Sequence, residues 1–199
     1  MSQSATLNRP ITSGLKIPNA ILGILFFIFT ELMFFTGLIS AYFVGRANLA
    51  QWPPVGQPRF PVEATLINTM ILLASAVTAW LATQESHPNR LKLDRARMWV
   101  QITLGLGSLF LLLQGYEWYQ LIQYGLKAES NNYGAYFYLL VGAHGLHVFA
   151  GLLILLSQLA QISKIKTMPE KRSGLMASIF FWYFVVGLWP VLYVLVYML

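Results

Sequence analysis

The 199-residue sequence contains no cysteine and few charged residues. Without cysteine the chain cannot form disulfides, bind zinc or iron–sulfur clusters through thiolates, attach a c-type haem or bridge copper ions through sulfur. Charged residues make up 10% of the chain, against about 25% in soluble domains, and hydrophobic residues make up 57%. This composition predicts a membrane protein.

Histidine is also scarce, since the whole chain has three. A centre that ligates both haem and copper needs more imidazoles than that, so the chain alone is not expected to hold one. The net charge is +6. In so apolar a chain, Lys and Arg are better suited to orient helices across a bilayer than to bind nucleic acid. Nucleic acid is therefore not an expected partner.

Five long apolar stretches follow one another along the chain. A helix needs about 20 apolar residues to cross the hydrocarbon core of a bilayer. The stretches cover approximately residues 20–44, 63–83, 97–124, 134–162 and 175–199. We therefore expect an all-α polytopic membrane protein, with five transmembrane helices in one bundle and residues 1–199 forming a single domain.

Most basic residues fall on one side of these spans. Ten of the thirteen Lys and Arg residues precede the first span or lie in the second-to-third and fourth-to-fifth connections. The other three, Arg46, Arg59 and Lys127, lie in the connections on the opposite side. By the positive-inside rule, we expect the N-terminus in the cytoplasm and the C-terminus outside.

Four ionisable side chains lie within the predicted spans, where such groups are costly and are often functional. Glu31 lies about 18 Å into the first span, which places it near the middle of the bilayer. The sequence supports two roles for its carboxyl group equally. The first is proton handling near a pathway in a partner subunit, and the second is a hydrogen bond that fixes the packing of a neighbouring helix.

The other intramembrane polar residues form two pairs with a spacing of three, so each pair shares a helix face. Gln114 and Glu117 lie in the third span, and His144 and His147 lie in the fourth. Glu117 and His144 are expected about 10 and 13 Å from the outer ends of their spans, so we predict that they meet and join the two helices. A metal or an axial haem is less favoured, because the set has one carboxylate and the imidazoles point the same way.

Small residues suggest where helices approach one another closely, since they let backbones come together in a membrane. Candidate positions are Gly37 with Ala41, Ser75 with Ala79, Gly142 with Gly145, and Ala150 with Gly151. Phosphate-binding loops, Ser-His-Asp sets and carboxylates paired for hydrolysis are absent from the sequence. The residues alone therefore indicate an accessory subunit of a larger assembly.

Several motifs, read in chain order, resemble subunit III of the haem-copper terminal oxidases. The first span is similar to that family's third helix, and W-P-P, P-x-E-x-x-L-L-N-T, L-L-Q-x-x-E-Y and H-G-L-H-V-x-x-G segments follow. The matching positions are Glu31, Trp52, Pro53, Pro54, Glu63, Asn68, Gln114, Glu117, His144, Gly145, His147 and Gly151. The short tail before the first span resembles the five-span bacterial members.

The last span departs from the family pattern. The family's W-H-F-V-D-x-x-W is matched at Trp182 and Trp189, but Tyr183 replaces the histidine and Val186 replaces the aspartate. Met176 stands where a glutamate is usual. These departures keep a subunit of a nitric oxide reductase open as an alternative. A small transporter or channel is a third hypothesis, which the lack of an inverted repeat and of broken helices disfavours.

The resemblance implies an accessory subunit without a catalytic residue, metal site or cofactor of its own. It would pack against the catalytic subunit I and subunit II of an oxidase in a bacterial plasma membrane. That oxidase reduces oxygen with electrons from cytochrome c or quinol and pumps protons, and its haem and copper lie in the partner. The accessory subunit supports proton uptake and the stability of the catalytic subunit. Longer members hold lipid in a cleft, so a structural phospholipid is a further expected partner.

Overall fold

The computed structural model describes residues 18–48, 51–52, 54, 60–87, 92–129, 131–164 and 172–198. These residues form five α-helices: α1 (Asn19–Ala47), α2 (Val62–Glu85), α3 (Leu93–Gln123), α4 (Asn132–Ser163) and α5 (Arg172–Tyr193). A π-helical turn, Val194–Met198, continues α5. All five helices are long and apolar enough to cross a membrane, and no strand occurs within the described ranges. The predicted fold class, an all-helical protein with five spans, is confirmed.

Polar residues extend several helices beyond the apolar runs that predicted them. The first turns of α3 are the clearest case, because Arg97 pairs with Asp94 at 3.0 Å and Asp94 lies in the first turn. A carboxylate at a helix N-terminus and an ion pair three residues apart both favour helix. The polar ends therefore continue α3 past the apolar run, and the helix is longer than hydropathy alone indicates.

The connection between α3 and α4 is fixed by local backbone chemistry. Gly125 has a φ of 90°, which only glycine adopts freely, and the next amide, of Leu126, donates to the carbonyl of Leu121 at 3.0 Å. This pattern ends α3. The side chain of Asn131 then accepts a hydrogen bond from the amide of Gly134 at 2.8 Å and caps the start of α4. The two helices are therefore antiparallel neighbours.

Consecutive helices alternate in direction, so the bundle has two faces. At one of them, called here the C-terminal face, α2 begins and α1 and α5 end. The hydroxyl of Tyr193 donates to the carbonyl of Val62 at 3.0 Å, and the hydroxyl of Tyr42 donates to the carbonyl of Leu195 at 3.1 Å. These two bonds join α5 and its π-helical turn to α2 and α1 at that face.

Helix α5 is the centre of the bundle and α1 is its periphery. Eleven residues of α5 are buried, and it contacts α1, α2 and α4. Only Phe35, Tyr42 and Gly45 are buried among the residues of α1. Most of the other residues of α1 are apolar and exposed. The helix is therefore available to lipid or to another membrane subunit.

Trp182 of α5 fits between glycines of two other helices. A Cβ atom at Gly107 would lie 2.6 Å from Cη2 of Trp182, and one at Gly151 would lie 2.9 Å from Cε3 of the same ring. The indole Nε1 donates to Oγ of Ser75 on α2 at 3.1 Å. One side chain thus fixes the positions of α2, α3 and α4 around α5.

The small-residue prediction is correct for some helices and wrong for others. Ser75 and Ala79 are buried, and Gly151 contacts Trp182. The prediction is wrong for Gly37, where an added Cβ would have no neighbour within 4 Å in the described part of the chain. On α1 the close contact lies instead at Gly45, against the ring of Tyr136. The presence of a small residue does not show which side of a helix faces a neighbour.

Two of the three glycines on α3, Gly105 and Gly107, allow a matched test of this packing. We expect Gly107→Ala to destabilise the protein by about 1–3 kcal/mol, because the buried Trp182 ring has no room to move away from the new methyl group. Gly105→Ala is the control, since its Cβ would have no neighbour within 4 Å in the described ranges. The measurement is the SDS concentration at which the subunit unfolds. Equal midpoints for the two variants would contradict this packing.

Candidate functional site

Three of the four ionisable residues predicted within the spans, Glu31, Glu117 and His147, fall into two separate groups. One is a hydrogen-bonded network between α2, α3 and α5 near the C-terminal face, and it contains Glu117. The other is a pair between α1 and α4, formed by Glu31 and His147. Four of the five candidate polar residues, all except His144, belong to one of these two groups.

The carboxyl group of Glu117 is the centre of the network. The hydroxyl of Tyr197 donates to Oε1 at 2.7 Å, and Oγ1 of Thr65 lies 2.8 Å from Oε2. Glu117 is only 6% exposed, so these two protein groups stand in for the water that a carboxyl group would otherwise bind. Tyr197 lies in the π-helical turn that ends the last span. The end of α5 therefore supplies one of the two partners of Glu117.

Two amide side chains extend the network along α3 and α2. Nε2 of Gln114 donates to the Tyr197 hydroxyl at 3.1 Å, and Nδ2 of Asn68 donates to Oε1 of Gln114 at 3.4 Å and to the carbonyl of Phe110 at 3.3 Å. Gln114 and Glu117 share a face of α3, as the spacing of three predicted. Their partners were not predicted.

The Thr65 hydroxyl allows Glu117 to be charged or neutral. Oγ1 of Thr65 also lies 2.9 Å from the carbonyl of Pro61, so its single proton has two acceptors within reach. An ionised Glu117 accepts this proton. A protonated Glu117 instead donates to Oγ1, and the hydroxyl proton then goes to Pro61. The network therefore remains hydrogen-bonded in both states of the carboxyl group.

Glu31 and His147 form a direct contact between α1 and α4. Oε2 of Glu31 lies 2.8 Å from Nε2 of His147, and Nδ1 of the same ring lies 2.7 Å from the carbonyl of Ala143. A carbonyl only accepts, so Nδ1 carries a hydrogen and Nε2 shares one proton with Glu31. With that proton the pair has no net charge, whichever partner holds it. One shared proton therefore joins α1 to α4 at this contact.

The Glu31–His147 pair lies at the edge of the bundle rather than in its core. The side chains of Glu31 and His147 are 16% and 19% exposed. The aromatic ring of Phe35 contacts the imidazole, with centroids 5.0 Å apart, and the ring of Phe34 stacks beside it at 6.2 Å. The pair is thus enclosed by aromatic rings on the protein side and is open toward the surroundings of the bundle.

The predicted contact between Glu117 and His144 is wrong. Both nitrogens of the fully buried His144 lack a hydrogen-bond partner among the described residues, and its ring stacks on Trp189 with centroids 4.9 Å apart. The physical reason is depth. Glu117 lies six residues from the end of α3 and His144 twelve from the start of α4, about 9 and 18 Å from the C-terminal face.

Depth also explains the contact between Glu31 and His147, which was not predicted from the sequence. Glu31 lies 16 residues before the end of α1, and His147 lies 15 residues after the start of α4. These counts correspond to about 24 and 22 Å from the C-terminal face. Accurate helix ends would therefore have favoured Glu31 as the partner of His147.

The remaining motif residues have packing positions. The ring of Trp52 meets that of Tyr133 edge-on, with centroids 4.8 Å apart, and Gly145 lies against Trp118, where an added Cβ would be 3.5 Å away. Glu63 is exposed in the first turn of α2. Pro54 is half-buried, and Pro53 lies outside the described residues. Trp189 donates from Nε1 to Oγ1 of Thr69 at 2.8 Å.

The two substituted positions of the last span have different surroundings. Val186 is 2% exposed in the apolar core. The hydroxyl of Tyr183 is buried without a hydrogen-bond partner in the described ranges. Within those ranges no three side chains of His, Asp or Glu come close enough together to hold a metal ion. The buried polar chemistry therefore lies in the Glu117 network and the Glu31–His147 pair.

Comparison with known proteins gives a consistent result. The family model described as cytochrome c oxidase subunit III matches residues 4–199. A probable cytochrome c oxidase subunit 3 from Mycobacterium leprae is 35% identical over 201 residues, covering 98% of both chains. Cytochrome c oxidase subunit 3 from Corynebacterium diphtheriae is 34% identical over 189 residues, covering 93% of this chain and 91% of that protein. The African elephant protein of that name is 35% identical over 184 residues, or 67% of its length.

A double-mutant cycle tests the contact between Glu31 and His147. We expect Glu31→Leu and His147→Leu each to lower the stability by about 1–3 kcal/mol, because each leaves the other polar group unpaired. The double variant should cost less than the sum, by about 1 kcal/mol. The measurement is the SDS unfolding midpoint. Strictly additive effects would show that the two side chains do not interact.

Proposed function

The chain belongs to the cytochrome c oxidase subunit III family, and from this membership we propose that it is the non-catalytic subunit that packs beside subunits I and II. Cytochrome c oxidase is a haem-copper oxidase of aerobic respiration, so the chain is part of a membrane oxidoreductase complex. The resemblance that the motifs carried is thereby confirmed. Neither the family nor the relatives described above are named as a nitric oxide reductase subunit or a transporter, and we do not retain those two alternatives.

The assignment of redox chemistry to a partner subunit rests on the shortage of ligands in this chain. It has three histidines and no cysteine. His147 is bonded to Glu31 and to its own helix, and His144 is enclosed by the rings of Trp189 and Phe110. We propose that haem and copper lie in the partner, the catalytic subunit I. The chain acts through contact with that subunit.

The Glu31–His147 pair is the feature that best supports a specific role for this subunit within the oxidase. It lies about half-way along two spans, has no net charge while its two members share one proton, and is open at the edge of the bundle. We propose that it supports proton uptake by the catalytic subunit and protects that subunit during turnover. The enclosed Glu117 network, with Gln114 and Asn68, serves instead to hold α2, α3 and α5 together.

The orientation and location follow from the charge distribution and from the relatives. We propose a bacterial plasma membrane with the N-terminus in the cytoplasm, since the first two relatives described above are bacterial proteins. At the face where α1 begins, the described basic residues are Lys92, Arg95, Arg97, Lys164 and Arg172. The opposite face has Arg46 and Lys127. The positive-inside rule places the first face in the cytoplasm.

The exposed surface of α1 supports lipid as a further partner. Large apolar side chains along this helix are exposed, among them Phe26 at 67%, Met33 at 63% and Phe29 at 62%. We propose that residues 1–199 act as one membrane domain, which binds structural phospholipid and presents α1 to lipid or to a partner subunit. We do not propose nucleic acid as a partner.

The substitution Glu31→Gln tests the role of the pair, because the amide can still donate to Nε2 of His147 but cannot release a proton. We expect the complex to assemble and to start turnover at a normal rate. Its activity should then decay several-fold faster in sustained turnover, measured as oxygen consumption over time. Glu85→Gln is the control, because it makes the same change at the last residue of α2, outside the Glu31–His147 pair.

Two results would contradict the proposal. If the decay of Glu31→Gln matches that of the wild type and of Glu85→Gln, the pair has only a packing role. If removal of the whole subunit abolishes the haem spectrum of the remaining complex, the chain is not an accessory subunit. The expected result of that removal is unchanged haem content and a shorter functional lifetime.

A further inference from the structure

The hydroxyl of Tyr197 donates to a carboxyl group, unlike the hydroxyls of several other tyrosines in the bundle. It lies 2.7 Å from Oε1 of Glu117. The other hydroxyls donate to backbone carbonyls, and they belong to Tyr42, Tyr138 and Tyr193. A carboxylate can accept a phenolic proton outright because a carboxylic acid is a stable species, whereas a peptide carbonyl only accepts a hydrogen bond. Tyr197 can therefore release its proton to a group that it already contacts.

The surrounding network remains hydrogen-bonded when that proton moves. The Tyr197 oxygen accepts from Nε2 of Gln114 at 3.1 Å, and it keeps this bond after its own proton has left. The newly protonated Oε1 of Glu117 donates back to the same oxygen, while Thr65 still donates to Oε2. Each of these groups has a partner before and after the transfer. The transfer therefore avoids the cost of about 1–3 kcal/mol for a buried polar group left unpaired.

Movement of the proton makes Tyr197 easier to oxidise. A phenol that loses an electron but keeps its proton becomes a cation, which is costly where little water can solvate it. Tyr197 is 7% exposed and Glu117 is 6% exposed. If the proton passes to an ionised Glu117 as the electron leaves, the products are a neutral radical and a neutral acid. The oxidation then removes a buried charge instead of creating one.

A chain of aromatic rings joins Tyr197 to the segment between α1 and α2. The ring of Phe60 has its centroid 5.1 Å from that of Tyr197 and 5.0 Å from that of Tyr133. The ring of Tyr133 lies 4.8 Å from that of Trp52, which is half-buried. Indole and phenol rings are the side chains most readily oxidised by loss of one electron in a chain without cysteine. An electron can therefore leave Tyr197 through Phe60 and reach Trp52.

The charges at the two ends of this chain favour oxidation at Tyr197. The guanidinium group of Arg46 lies 5.9 Å from the centroid of the Trp52 ring. Its positive charge opposes a second positive charge on an oxidised indole. At the other end, the carboxylate of Glu117 takes the proton of Tyr197. An oxidising equivalent that enters at Trp52 is therefore more stable once it has reached Tyr197.

We propose that Tyr197 and Glu117 form a redox site that removes one-electron oxidants of the hydroxyl-radical class. The electron from Tyr197 converts the hydroxyl radical to hydroxide, the phenolic proton passes to Glu117, and Tyr197 remains as a neutral radical. One electron from the donor that reduces the oxidase, together with the proton held by Glu117, then restores both side chains. Partial reduction of oxygen produces such oxidants. The site thus gives the subunit a chemical means of protecting its partner, and it rests on the proposed position of the chain beside an oxygen-reducing subunit.

Two variants of the site and one neighbouring tyrosine give a matched test. Tyr197→Phe removes the phenol. Glu117→Gln removes the proton acceptor but keeps the hydrogen bonds, since the amide oxygen accepts from Tyr197 and the amide nitrogen donates to Thr65. Tyr193→Phe is the control, because its ring stacks on that of Tyr197 with centroids 5.7 Å apart but its hydroxyl donates to the carbonyl of Val62.

The measurement is the yield of tyrosyl radical in the complete oxidase complex. The complex is illuminated with tris(bipyridine)ruthenium(II) and persulfate, which generate a one-electron ruthenium(III) oxidant, and is then frozen for EPR spectroscopy. Protein grown on ring-deuterated tyrosine identifies the tyrosyl signal by its altered line shape. We expect a signal in the wild type and in Tyr193→Phe that is several-fold weaker in Tyr197→Phe and in Glu117→Gln. Trp52→Phe should lower the yield several-fold without altering the line shape.

Three results would overturn the proposal. A signal in Glu117→Gln as strong as in the wild type would show that the carboxyl group does not take the proton. A loss in Tyr193→Phe as large as in Tyr197→Phe would show that the signal depends only on the packing of α5. An unchanged yield in Trp52→Phe would exclude the route through the rings.

The comparison of Glu117→Gln with Tyr193→Phe decides the question even if Tyr197→Phe fails to assemble. The radical yield is measured without turnover and does not involve Glu31. It is therefore independent of the decay of Glu31→Gln, so the redox site can fail while the proposed function stands.

Discussion

A row of aromatic hydrogen-bond donors along α5 holds the bundle together. Trp182, Trp189 and Tyr193 donate to Ser75, Thr69 and Val62 of α2, and Tyr197 donates to Glu117 of α3. Such bonds matter in a membrane because lipid tails are as apolar as the side chains and give little reason for helices to associate. The rings also fill the space beside small residues. The position of the Glu117 network depends on this row.

The class of the protein and its spans could be predicted because a bilayer demands long apolar helices. The same constraint identified Glu31, Glu117, His144 and His147 as residues that need a partner. Their motifs then indicated the family. The choice of partners failed because α4 begins two residues before its predicted span and α3 ends one residue before its predicted end, and three residues of error shift a side chain by about 4.5 Å.

The sequence also did not predict how each helix is rotated about its axis, and therefore which of its faces packs against a neighbour. Gly107 packs against Trp182, whereas Gly105, two residues earlier, has no described neighbour within 4 Å. Both are glycines on the same apolar helix, so the sequence does not distinguish them. The π-helical turn that brings Tyr197 to Glu117 also has no sequence signal that we can identify. The core position of Val186 fits its apolar side chain, since a carboxyl group there would need a partner of its own.

The central claim, that the donors of α5 hold α2 in place, is tested most directly by removing two N–H groups and keeping the rings apolar. The measurement is the SDS unfolding midpoint of Trp182→Phe/Trp189→Phe, with Trp80→Phe as the control because Trp80 is 52% exposed. The account predicts a clearly lower midpoint for the double variant and little change for the control. A double variant as stable as Trp80→Phe would contradict it.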